Sequence, residues 1–176
     1  MIHLKKMIFF VIGIILLGSI VVIPAYRFDT CGNSEEEISA FLEEKHQENV
    51  SLYKVSKNDR IMAVIYDRKD LGTCVAVFEK KLFGLRYKYD GMDVIVDNGL
   101  QVNGSWYEGD LKSKCDIVIC GDNRNGTIKS YVMEQVPDVA RNDIEADFIL
   151  DIYILDGIDF LPDRLTQYTR NGDLFL

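Results

Sequence analysis

Between Lys6 and Arg27 lie twenty residues without a charge, and thirteen of them are Ile, Leu, Val or Phe. No other stretch restricts the chain so strongly. A helix rises about 1.5 Å per residue, so twenty residues reach roughly 30 Å, the thickness of a bilayer's hydrocarbon core. At roughly −0.3 to −0.6 kcal/mol for each strongly apolar residue, insertion would be favoured by at most about 4 to 8 kcal/mol. The run predicts an N-terminal transmembrane helix partnered by lipid through Met7, Ile8, Phe9, Phe10, Val11, Ile12, Ile14, Ile15, Leu16, Leu17, Ile20, Val21, Val22 and Ile23. Pro24 falls in its last turn, where a break does small harm.

Lys5 and Lys6 precede the run, while Arg27, Asp29 and three consecutive glutamates follow it. The positive-inside bias then keeps the N-terminus cytoplasmic and sends the remainder across. The expected location is the plasma membrane, single-pass, with an extracytoplasmic C-terminal domain. A cleaved signal peptide would have a shorter apolar stretch of about 7–15 residues and a small-x-small site. A lipoprotein would place a Leu-like residue three before Cys31, where Phe28 stands. The segments expected are therefore an anchor over 1–26, a tether over 27–33 and a folded domain over 34–176.

Beyond Tyr26 the chain holds 28 acidic and 18 basic residues, a net charge of −10. That balance excludes a basic face for nucleic acid and favours cationic partners, or serves solubility alone. Ser34 and Glu37 have the spacing of a capping box. Behind them Ile38, Phe41 and Leu42 recur at i, i+3 and i+4, which predicts an amphipathic helix from Glu35 to Gln47 or Glu48. Afterwards the apolar period changes to two. Strands are expected over 50–56, 61–67, 73–80 and 83–89, then 94–96, 100–102, 115–120, 127–135, 147–155, 165–169 and 173–176, punctuated by Asn, Asp and Gly. Residues 61–66 are apolar on both faces, as in a central covered strand. The fold class this predicts is α+β: a transmembrane helix, then one amphipathic helix on a mainly antiparallel sheet of about eight short strands.

Chemistry is sparse. The chain has two histidines: His3 precedes the apolar run, and His46 closes the amphipathic helix, where it reads as a solvated helix-end residue. No His-Glu-x-x-His, phosphate-cradling loop, Gly-x-Ser-x-Gly elbow or Cys-x-x-Cys pair occurs, so no catalytic residue, cofactor or metal is assigned. Cys115 and Cys120, five apart, fall on opposite faces of one strand. Cys74–Cys120 or Cys74–Cys115 would staple two strands, with buried free thiols as the alternative. The stretch 122–126 resembles a calcium loop but fails its ligand spacing, and reads as a hairpin turn. The spread of Asp138, Asp143, Glu145, Asp147 and Asp151 reads as a solvated edge. Lys80, Lys81, Arg86 and Lys88 form the one basic cluster, with Phe83, Tyr87 and Tyr89 beside it, suited to contacting an anion or to balancing local acid.

The stretches 78–89 and 148–162 resemble small single-pass exported proteins of Gram-positive bacteria, which are uncharacterised as a group. The resemblance implies a cell-surface setting and no particular activity. The function expected is that of a membrane-anchored binding or interaction module with an unknown protein or envelope partner. An exported enzyme acting on envelope material and an inhibitor or immunity-type protein are the alternatives. A binding role predicts an exposed aromatic or apolar groove without a titratable pair, and catalysis predicts Asp, Glu or His46 converging in a cleft with shifted pKa. Inhibition predicts a flat acidic patch.

Overall fold

Ser34 opens a helix in the way its spacing to Glu37 requires. Its Oγ accepts the Glu37 N–H at 3.3 Å, and Glu37 Oε2 accepts the Ser34 N–H at 3.3 Å. Two backbone donors that a helix start leaves without partners are thereby satisfied. The helix, α1 (Glu35–His46), stops where Gln47 turns left-handed at φ 56°. Ile38, Phe41 and Leu42 form its buried stripe. The computed structural model that carries these details describes residues 29–81, 85–95, 99–106, 114–156 and 164–174.

The strands arrange themselves in three antiparallel sheets. Sheet A holds β1 (Thr30–Cys31), β2 (Ser51–Lys57), β3 (Ile61–Arg68), β4 (Gly72–Lys81) and β5 (Arg86–Val94), in the order β1-β5-β4-β3-β2. Sheet B holds β6 (Leu100–Trp106), β7 (Lys114–Asp122) and, from later in the chain, β10 (Phe148–Asp156), in the order β10-β7-β6. Sheet C holds β8 (Ile128–Met133), β9 (Ala140–Arg141) and β11 (Leu165–Thr169), in the order β11-β8-β9.

Period-two alternation explains how these pieces stack. On β3, Met62, Val64 and Tyr66 face α1, whereas Ile61, Ala63 and Ile65 meet Val118, Cys120 and Leu150 of sheet B. On β7, Cys115, Ile117 and Ile119 turn the other way and pack on Ile128, Tyr131 and Met133 of sheet C. The layers run α1, A, B, C, with sheet B buried on both faces. That is why Ile61–Tyr66 of β3 and Ile117–Cys120 of β7 are unbroken apolar runs: each is covered on both sides. A fully buried Ile or Leu contributes about 1.5–3 kcal/mol, and the three cores contain many.

Three expectations need correction. The fold is mostly β, in three sheets, and not α+β with one sheet of about eight strands. Among the described residues no helix is long and apolar enough to cross a membrane, so the transmembrane assignment has no support there; its residues, 7–26, lie outside the described ones. The link over 123–127 does not close a hairpin, because β7 and β8 belong to different sheets. Turn residues look alike whether a chain pairs back or crosses to another layer. In addition, the stretch 27–33 contributes β1, whose Thr30 and Cys31 are buried against Lys88 and Tyr87 of β5. Burial pushes the Cys31 thiol up to about 11.

Candidate functional site

Sheets A and B touch along one side and part along the other. At the closed side Lys54 Nζ of β2 donates to the Phe148 carbonyl of β10 at 3.0 Å. Beside it the Tyr53 and Phe148 rings stack, with centroids 4.4 Å apart and planes 10° off parallel. The Arg124 guanidinium, paired with Asp122, lies 5.2 Å from the Phe148 centroid. At the opposite side, between β5 and β6, a cleft of about 280 Å³ remains. Its floor is Ile61, Val75, Val77 and Val118, and its walls carry Asp90, Asp93, Asn103 and Asp116.

The walls owe their composition to one irregularity. Regular alternation would put Asp90 and Asp93, an odd number of residues apart, on opposite faces of β5. The pairing of β4 with β5 slips, however: Val77 faces Gly91 and Phe78 faces Tyr89, so Asp90 is an extra residue in a β-bulge. A bulge resets the alternation and re-aims side chains. Both aspartates then line the cleft while Tyr89 and Met92 remain packed toward α1. Gly91, between them, has open space where a Cβ would stand.

Each polar wall group has a different degree of engagement. Asp116 is fully buried and accepts Asn58 Nδ2 at 3.1 Å and Arg60 Nη2 at 2.9 Å. Asn58 Oδ1 in turn accepts the N–H groups of Arg60 and Ile61, fixing the β2–β3 turn that delivers the arginine. Asn103, its amide oriented by its neighbours, donates to Asp93 Oδ2 at 3.1 Å. Behind these groups burial, and then the Asp93 carboxylate, pushes the Cys120 thiol up to about 12.

Two other polar clusters are internally satisfied. Between sheets B and C, Tyr131 Oη donates to Asp151 Oδ2 at 2.8 Å and shares a 2.8 Å bond with the Tyr153 hydroxyl. Arg141 Nη1 reaches both Asp151 oxygens, at 2.7 and 2.8 Å. Burial, the Tyr153 hydrogen bond and the Asp151 charge all push the Tyr131 phenol up. Burial holds Lys54 low against the opposing pull of Asp151. Under α1, His46 Nε2 and the buried Tyr66 hydroxyl lie 2.9 Å apart, with their rings stacked. Burial, and then Arg68, holds the imidazole below its ordinary value. These contacts fasten one layer to the next.

The residues singled out from sequence are mostly placed elsewhere. The apolar run and Lys5 and Lys6 lie outside the described residues. Cys74 and Cys120 are buried free thiols in different cores, Cys74 under α1 and Cys120 between sheets A and B. The basic cluster is divided. Lys80 shares the Phe78 face of β4, Lys81 pairs with Glu79, and Arg86 clamps β1 through Thr30 Oγ1 at 2.8 Å and Thr30 O at 2.6 Å. Lys88 is left exposed opposite Thr30. His46 is half-buried and bonded, where a solvated residue was expected. Asp90, Asp93, Asn103 and Asp116 were missed, although a Gly inside a strand pattern, here Gly91, is a recognised sign of a bulge. No protein family, curated protein or solved structure matches this chain.

Proposed function

We propose that this chain acts by binding, and that the cleft between sheets A and B is its site, although Asp90, Asp93 and Asp116 border it where a groove without a titratable pair was expected. The observation that carries the reading is the contrast in how polar groups are used. Those between sheets B and C and under α1 are consumed in holding layers together, whereas those on β5 border a concave space with an apolar floor. Concavity, apolar lining and a few directed polar groups are the usual composition of a ligand site.

The test is a screen of small neutral, cationic and anionic fragments against the full chain, followed by backbone amide spectra. Saturable shifts should gather at Gly91, Asp93, Asn103 and Gly104 and vanish in Gly91→Leu. That side chain would enter the cleft from a position where it meets no neighbour. Hits confined to the outer face of α1, around Glu35, Glu36 and Glu43, would overturn the reading.

A further inference from the structure

We infer that the cleft takes an alkyl cation, an ammonium or guanidinium group on a short aliphatic stem, with its charge at Asp90 and Asp93. The inference rests on the reading of the cleft as the binding site and adds the ligand's chemistry. The stem lies over the half-buried Val77, with the buried Ile61, Val75 and Val118 packed beneath it.

Four features of the site select this class. First, none of the described residues lining the cleft is basic, so an anionic ligand would meet carboxylates there. Second, Arg60 is bound to Asp116, which leaves the two β5 carboxylates as the walls that face an incoming charge. Asp93 accepts one hydrogen bond from Asn103, and Asp90 makes none among the described residues. Third, the bulge is what brings them to one side: without the extra residue one would point at α1 and the cleft would lose half its charge. Fourth, no group of three metal-ligating side chains gathers among the described residues, and a hydrated metal ion has no use for an apolar floor. A cation with a hydrocarbon body uses both surfaces.

Size narrows the class further. At about 280 Å³ the space lies at the lower edge of the roughly 300–1,000 Å³ typical of small-molecule pockets, so it suits a group of side-chain dimensions. A free small amine and a Lys or Arg side chain of a partner protein present the same chemistry.

The experiment titrates the full chain with n-butylammonium and n-butylguanidinium, and with butyrate and 1-butanol as matched controls. Amide spectra provide the readout. The cations are expected to give saturable shifts along β5 and β6 that weaken as salt is raised. Asp90→Asn and Asp93→Asn, which keep volume and remove charge, should each weaken binding about tenfold. Gly91→Leu should abolish it. End-capped Gly-Lys-Gly and Gly-Arg-Gly peptides form a second arm: tighter binding than the free amines assigns the cation to a partner's side chain, and weaker binding to a small molecule. Butanol or butyrate binding as well as the cations would overturn the inference and leave the cleft standing as the site. Cation binding unchanged in both Asn variants would overturn it too. A fragment screen without hits at the cleft would remove the underlying reading as well.

Discussion

Sheet B is buried on both faces, yet its two interfaces are finished differently. Toward sheet C both edges are sealed. At β6 the Gln167 side chain imitates a neighbouring strand, accepting the Leu100 N–H at 3.2 Å and donating to the Leu100 carbonyl at 3.3 Å. At β10 the Arg141–Asp151 pair and the two tyrosine hydroxyls close the other edge. Toward sheet A the β10 edge is closed, and among the described residues the other margin is bridged by side chains alone, Asn103 to Asp93 and Asn58 and Arg60 to Asp116, beside a cleft. The same strands, with similar apolar content, thus make a sealed core on one face and a core with an open margin on the other. A sheet edge left without a partner is a liability that folds normally cover. That margin also carries Asp93, bonded by Asn103, and Asp90, which makes no hydrogen bond among the described residues.

That contrast can be broken by truncating the sealed side. Ile117→Ala, at a fully buried position between sheets B and C, is expected to cost about 2–5 kcal/mol in chemical denaturation, because the removed atoms leave a cavity that little can fill. Val77→Ala, on the half-buried cleft floor, should cost well under that. Equal losses would mean that the cleft is as tightly closed as the B–C core.

Next in size is overpacking of the sealed face. A Cβ at Gly121 would overlap the Gly99 carbonyl oxygen and the Leu100 side chain, so backbone must move. Gly121→Ala should cost about 1–3 kcal/mol by the same measurement. A neutral result would show that the β6–β7 approach yields easily.

A pH titration separates the attachment of α1 from both sheet interfaces, since the only histidines in the chain are His3 and His46. Burial lowers the folded imidazole's affinity for protons, so the unfolded chain binds a proton more readily. The stability tied to neutral His46 is therefore full above about pH 6.5, the ordinary imidazole value, and is lost as pH falls through the lower folded value. Denaturation midpoints should decline as pH falls below about 6.5 and do so less in His46→Gln. An identical decline in the variant would place the responsible groups elsewhere.

How much of this was legible in the chain follows from the range of each signal. The capping box at Ser34 and the Ile38–Phe41–Leu42 stripe are local, and α1 sits where they place it. The double-sided apolar runs at β3 and β7 tell of cover on both faces but not of what covers them. Layer assignment is non-local. Asp122, Asn123 and Gly126 serve a crossing between sheets with the same chemistry that would close a hairpin. The site was hidden for a related reason: Asp90 and Asp93 look like opposite faces of one strand until pairing with β4 shows the extra residue. The basic cluster was conspicuous for its composition, yet Arg86 is used to hold β1 and Lys81 to meet Glu79.

The smallest expected effect is also the sharpest comparison of the two margins, because it uses the substitution already made at Gly121. Gly91→Ala adds the same methyl group, but at a position with no heavy atom within 4 Å of the new Cβ and without a left-handed backbone. The folded state should accept it without strain, while the unfolded chain loses some of glycine's freedom. A gain of about 0.4–1 kcal/mol is expected in denaturant titrations. Opposite signs for one methyl group at Gly121 and Gly91 would locate the sealed and open margins of sheet B by energy alone. A loss at Gly91 comparable to that at Gly121 would mean that the space between β5 and β6 is filled, and the cleft would no longer be available to any ligand.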